Sequence, residues 1–387
     1  MTNYKYPLVL DTISNQEIDS LCEWLRTYPR LTKGDKTEIF ENKWSESLGV
    51  KYSVYVNSGS SAIMLMLGAL IAKGSLKKGD KVVVPSISWA TDLSSVMHLG
   101  LEPVLCDCNM EDLSVDLDHL KEVITQHDPR ALLLVSVLGL APDMKKIQEI
   151  CLNNNIILLE DACESIGTKS RGNNLGTFGD MSCFSFYYGH HISTIEGGIV
   201  STNNDELANI LKSIRNHGWD RDWPEDYKRQ MRKKFNISDF DSLYTFYYPG
   251  FNVRSTDLQA FLGITQIDKI ESVSLTREKN FKHYLKHMPE GVWLPTYRQQ
   301  DFISNFAYPV ILPNREKVVS SLVEKGVECR PLICGSMGKQ PMYTSVYGVE
   351  SHTNSDIIDR NGFYVPNNPE MTEEQVYEIC NIIKESL

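Results

Sequence analysis

The sequence predicts an α/β fold: a large domain on a mixed, mostly parallel sheet covered by helices, then a smaller α+β domain. Three observations carry that reading. Short runs rich in Val, Ile and Leu recur through the first two thirds of the chain, helix-length amphipathic stretches separate them, and the alternation stops near Ile270. The runs KVVVP (81–85), EPVLCD (102–107), ALLLVSV (131–137) and IILLED (156–161) are apolar at consecutive positions, as strands covered on both faces require. ATDLSSVMHLG and APDMKKIQEICLNN lie between them with the helical repeat of apolar positions. Such a sheet places ligands beyond the carboxyl ends of its strands. Residues 222–247 turn charged and aromatic and read as an insertion or lid. After Ile270 a helical stretch leads to strand candidates VWLP, AYPVIL and VECRPL and to a last helix over Glu373 to Leu387. The domains are therefore expected at 1–270 and 271–387, with the boundary inside 265–275.

With 387 residues, 42% of them hydrophobic, the chain can bury one large or two medium cores. A formal net charge of -11 argues against a nucleic acid or an anionic membrane as partner, because polyanions are bound by broad basic surfaces. No run approaches the roughly 20 apolar residues of a membrane span. The start, MTNYKYPLVLDTISNQEIDSL, lacks a basic segment followed by an apolar one, so the cytoplasm is the expected location. Nine scattered cysteines, with no Cys-x-x-Cys pair and no His-rich companion spacing, suit a reducing compartment and give no expectation of a metal. Cys106 and Cys108 read as ordinary packing.

The segment Asn57 to Leu70, NSGSSAIMLMLGAL, is a small polar turn feeding a helix. Free N–H groups at such an N-terminus hold a phosphate, with Ser58 and Ser60 hydroxyls as added donors, although Ser and Gly also cap helices that bind nothing. IILLEDACESIG sets Asp161 at a strand end, where a carboxylate either pairs with a protonated pyridine nitrogen or caps the next helix. Ser185 and His190 follow shortly, and that order favours the ligand reading. His190 stands six residues before Glu196 of an EGG turn, with His191 as its rival. A free imidazole, of pKa about 6.5, is a competent proton acceptor near neutrality. His217 lines a ligand pocket or is structural; Arg221, Arg254 and Arg330 are candidates for holding anions, or are solvated surface residues. No G-x-G-x-x-G follows a strand, so nicotinamide chemistry lacks support.

Taken in chain order, SGS before a helix, VPSISWATD, a strand ending in EDA, FSFYYGHHISTIEGG, RNHGWDR, GFNVRSTDLQA and GVECRPL occur across nearly the whole chain. Together they resemble the fold-type I, aspartate-aminotransferase-like, pyridoxal-phosphate-dependent sugar aminotransferases of the DegT/DnrJ/EryC1/StrS family. In that family a lysine at the position of His190 forms an imine with the cofactor. An imidazole forms no stable imine, so the resemblance is to a histidine-bearing branch that kept a base and lost the covalent anchor. It implies that Gly59 and Ser60 bind the cofactor phosphate with Ser185 in support, that Trp89 stacks on the pyridine ring and that Asp161 pairs with the ring nitrogen. Glu164 stands where the aminotransferases usually have glutamine, a change this branch shares. Asn252 would reach the phosphate of the neighbouring subunit's cofactor, which implies a homodimer with shared active sites.

The resemblance also implies a reaction. Pyridoxal 5'-phosphate, held non-covalently, takes an amino group from L-glutamate to become pyridoxamine 5'-phosphate. His190 then removes a proton so that the 3-hydroxyl leaves a GDP-linked 4-keto-6-deoxymannose, with release of ammonia. A GDP-4-keto-6-deoxyheptose is an alternative substrate, and a nucleotide-sugar-binding pseudoenzyme an alternative class. CDP-hexose relatives carry an iron–sulfur cluster, and no matching cysteine cluster is present near Cys106 and Cys108.

Overall fold

The computed structural model of the chain describes residues 4–387. Its strands are β1 (Tyr52–Val56), β2 (Lys81–Pro85), β3 (Glu102–Cys106), β4 (Ala131–Val135), β5 (Ile157–Asp161), β6 (Lys169–Ser170), β7 (Asn173–Asn174), β8 (Met181–Ser185), β9 (Gly198–Thr202), β10 (Tyr308–Ile311), β11 (Arg330–Pro331) and β12 (Gly362–Val365). The α-helices are α1 (Asn15–Leu25), α2 (Asp35–Leu48), α3 (Gly59–Lys73), α4 (Ala90–His98), α5 (Leu117–His127), α6 (Met144–Asn153), α7 (Asp205–Ile214), α8 (Glu225–Phe235), α9 (Asp257–Gln266), α10 (Ile270–His287), α11 (Arg315–Glu324), α12 (Pro341–Tyr347), α13 (Thr353–Asn361) and α14 (Glu373–Ser386).

Seven strands form one sheet in the order β1-β9-β8-β5-β4-β2-β3. Strand β9 runs antiparallel to both neighbours and every other adjacent pair is parallel. Every residue of β4, β8 and β9 is buried, which is why these segments carry no polar alternation. Because the parallel strands share one direction, the chain leaves β1, β2, β4, β5 and β8 along the same edge. Gly198 opens β9 on that edge, in register with Val56 on one side and Ser185 on the other.

The second sheet is β10-β12-β11, antiparallel throughout, with Tyr284, Leu322 and Ile379 from α10, α11 and α14 in one buried cluster with it. Here the sequence-based expectation is only partly met. AYPVIL supplies β10, whereas VECRPL shrinks to the two residues of β11 and VWLP forms no strand. Trp293 anchors that stretch instead, its indole Nε1 donating to the Met110 carbonyl at 2.7 Å. Residues 222–247 hold α8 and a 3-10 turn over Asp241–Tyr244, with Phe240 82% exposed. The chain also runs back from the second unit to the first. Phe302 pairs with Lys169, the Ser304 N–H donates to Thr168 Oγ1 at 3.0 Å, and the Phe306 N–H donates to the Leu138 carbonyl at 2.9 Å. Among the described residues no helix is long and apolar enough to cross a membrane.

Candidate active site

Along the carboxyl edge of the large sheet lies a cavity of about 1120 Å³. At one end β1 gives way to α3, with Ser58 as N-cap accepting from the Ser61 N–H at 3.1 Å. The N–H groups of Gly59 and Ser60 stay without an intrahelical acceptor, at the positive end of the helix dipole. Space here is tight enough to demand glycine. A Cβ on Gly59 would lie 2.7 Å from Ser185 Cβ, and one on Gly198 would lie 2.2 Å from the Ser58 carbonyl oxygen.

Asp161 ends β5, buried, its Oδ1 accepting from the Cys163 N–H at 2.9 Å and from Cys183 Sγ at 3.5 Å. Among the described residues no Lys, Arg or His side chain forms an ion pair with it. A buried carboxylate without a cation is costly, so the arrangement calls for a positively charged group from outside the chain. Trp89 stands at the start of α4 on the cavity wall, 54% exposed, with its backbone N–H donating to Asp92 Oδ2 at 3.1 Å. Asp92 itself is fully buried. Burial, and then the neighbouring Asp161 charge, hold its carboxyl well above the usual range. Glu164 accepts from the Leu138 N–H at 2.8 Å, and burial pushes its carboxyl up to about 8.

His190 is half-buried on the same wall. Its Nδ1 is buried without a hydrogen-bond partner among the described residues, and the residue lines the cavity. Burial, and then the positive charge of Arg277, push the imidazole down to about 4. This departs from the ordinary value near 6.5 assumed from the sequence, and the physical reason lies behind the ring. Arg277 is buried and, among the described residues, has no carboxylate partner, donating to the carbonyls of Phe306 at 2.6 Å and of Asn367. The Phe306 ring lies 5.3 Å from the His190 ring. His191 points elsewhere, its Nε2 on the Ser304 carbonyl at 2.9 Å, so the cavity sees His190.

The cavity thus brings together Gly59, Ser60, Trp89, Asp161, Glu164, Ser185, His190 and Arg330, and among the described residues no lysine lines it. Arg330 is already engaged, its guanidinium 2.7 Å from Glu328 Oε1. His217, Arg221, Asn252 and Arg254 are not on this wall. They gather beyond β1: Arg254 pairs with Val56 and Asn252 with Asn216, Arg254 Nε donates to Asn252 Oδ1 at 3.0 Å, and Arg221 lies 3.8 Å over the Trp219 ring. Sequence reasoning missed Asp92, Arg277 and the arm Pro7 to Leu10 that closes one side of the cavity. For Asp92 a signal existed, since Trp89 and Asp92 have the N-cap-to-N3 spacing of a capping box.

Free helix N–H groups beside a glycine cradle, a buried carboxylate awaiting a cation and an exposed indole fit a phosphorylated pyridine. Sheet, crossover helices and site together define an α/β protein of the fold-type I, aspartate-aminotransferase-like class. The chain belongs to the DegT/DnrJ/EryC1/StrS aminotransferase family, whose profile matches residues 11–384. It is 34% identical over 389 aligned positions to the GDP-4-keto-6-deoxy-D-mannose 3-dehydratase of Yersinia pseudotuberculosis, covering 98% of each chain. The E. coli GDP-4-keto-6-deoxy-D-mannose 3-dehydratase with bound hydrated PLP superposes with a TM-score of 0.90 at 31% identity, covering 98% of this chain and 99% of that one. A structure of GDP-4-keto-6-deoxymannose 3-dehydratase with a trapped PLP–glutamate geminal diamine gives the same TM-score and identity, over 98% of this chain and 100% of that one.

Proposed function

We propose that the chain is a pyridoxal-phosphate-dependent 3-dehydratase of GDP-4-keto-6-deoxymannose that uses L-glutamate as amino donor. Its products are a 4-keto-3,6-dideoxy sugar for a surface polysaccharide, 2-oxoglutarate and ammonia. One observation carries the reading: His190 lines the cavity where the aminotransferases have lysine, and among the described residues no lysine lines it. The cofactor, when bound, supplies the electron sink that makes a carbanion beside its ring accessible. The chain supplies the rest. Gly59 and Ser60 N–H groups and the Ser185 hydroxyl hold the phosphate, Asp161 keeps the ring nitrogen protonated, and Trp89 covers the ring face. His190 Nε2, neutral at pH 7, takes the proton, and as imidazolium hands it to the departing 3-hydroxyl. Arg277 makes that imidazolium unfavourable, which favours the second transfer.

Asn252 is exposed beyond β1 and away from its own cavity, which supports a homodimer in which it reaches the partner's cofactor phosphate. His217, Arg221 and Arg254 share that face and belong to the same reading, as anion or sugar contacts. We place the domain boundary near residue 270, where α10 begins, and the enzyme in the cytoplasm.

The test is to mix the protein with pyridoxal phosphate, L-glutamate and GDP-4-keto-6-deoxymannose and to measure product mass and ammonia. Loss of one sugar oxygen with one equivalent of ammonia is expected, and His190→Lys should suppress it. A product that retains nitrogen would overturn the assignment. Dialysis should strip cofactor from the native protein more readily than from His190→Lys.

A further inference from the structure

Far along the chain from the strand ends that build the cavity, α10 carries His283 and His287 four residues apart, so both imidazoles lie on one helix face. Helix α14 packs against that face and begins with Glu373. Glu373 Oε1 lies 3.2 Å from His283 Nδ1 and 3.2 Å from His287 Nε2, and the three donor atoms fall within 4.8 Å of one another. Both histidine side chains are mostly covered, at 15% and 19% exposure, while Glu373 is 46% exposed. None of the three lines the cavity.

Ligand–ligand distance discriminates between a contact and a site. Bonds of about 2.0–2.2 Å from zinc to nitrogen and oxygen, at tetrahedral angles, place ligand atoms about 3.3–3.5 Å apart. Two edges of such a tetrahedron are already present to within a few tenths of an ångström. We propose that His283, His287 and Glu373 bind one divalent transition-metal cation of the zinc class, with water completing the shell on the exposed side. Two imidazoles among three donors favour zinc, nickel or copper over magnesium and calcium. Lys286 Nζ, 3.0 Å from the same Oε1, would be displaced; its side chain is 64% exposed, and such an ion pair is worth little. The bound metal would staple α10 to α14. A reading based on cysteine spacing could not find this site, since Glu373 lies 86 residues beyond His287.

The experiment uses the full chain carrying its cofactor, cleared of metal by chelation. Zn²⁺ is titrated by calorimetry, Co²⁺ by its visible bands, and thermal midpoints are recorded with and without Zn²⁺. One equivalent of tightly bound Zn²⁺, a tetrahedral Co²⁺ spectrum without thiolate charge transfer, and a midpoint raised by a few degrees are expected. His287→Gln and Glu373→Gln should each lower the affinity at least about tenfold while their metal-free midpoints stay near that of the parent. Zn²⁺ binding unchanged in both variants, thiolate bands in the Co²⁺ spectrum, or no binding at all would each overturn the proposal. Activity plays no part in the readout, so the result is independent of the dehydratase assignment.

Discussion

His190 shows how far surroundings move a side chain from its free-solution behaviour. In water an imidazole titrates near 6.5, whereas here enclosure and the Arg277 charge push it down to about 4. The sign follows directly. Between 6.5 and 4 the folded protein binds fewer protons at this site than the unfolded chain, so the neutral base stays available and folding loses stability as pH falls through that window. An NMR titration of the His190 ring should give a midpoint near 4, and Arg277→Gln should move it up toward 6.5. A midpoint unchanged by that substitution would remove Arg277 from the account. Glu164 has the opposite sign: its burial penalty is absent below the ordinary carboxylate range and grows as pH rises toward about 8. The residues legible in the sequence were those with a local pattern, such as Asp161 at a strand end and His190 before its EGG turn. Arg277 was not, because it reaches His190 only after the chain returns through residues 302–306.

Among the elements, the buried parallel strands were the most legible, since covering both faces leaves continuous apolar runs that need no alternation to be recognised. Helix α2 is the contrary case. Its N-cap is Gly34, which offers no side chain, and the free donors of its first turn are taken by Asp257 from α9. Asp257 Oδ1 accepts from Gly34 N–H at 2.7 Å, from Thr37 N–H at 3.0 Å and from Thr37 Oγ1 at 2.7 Å, while Oδ2 takes Lys36 N–H at 3.1 Å. A cap supplied from more than two hundred residues away leaves no local signature. Removing it strands several donors in a buried place, so Asp257→Ala should cost about 2–3 kcal/mol, with Asp257→Asn recovering part of that. Urea unfolding with an unchanged slope and a lower midpoint is the expected result. A midpoint equal to that of the parent would show that water caps α2 equally well.

At the scale of the whole molecule, the residues implied for one site fall into two groups in a single chain. Gly59, Ser60, Trp89, Asp161, Glu164, Ser185, His190 and Arg330 share the cavity, whereas Asn252, Arg254, His217 and Arg221 lie beyond β1. No sequence pattern distinguishes the two groups, because the separation depends on where one folded chain meets another. In the proposed homodimer, each site combines the first group of one protomer with Asn252 of its partner. Complementation separates that arrangement from one in which each protomer works alone. His190→Ala and Asn252→Ala variants should each lose most activity as pure dimers. After random subunit exchange about half of the dimers are hybrids, each with one site that has both residues intact, so activity should recover to about a quarter of the parent. If Asn252 served its own chain, every site in a hybrid would still lack one residue, and mixing would restore nothing.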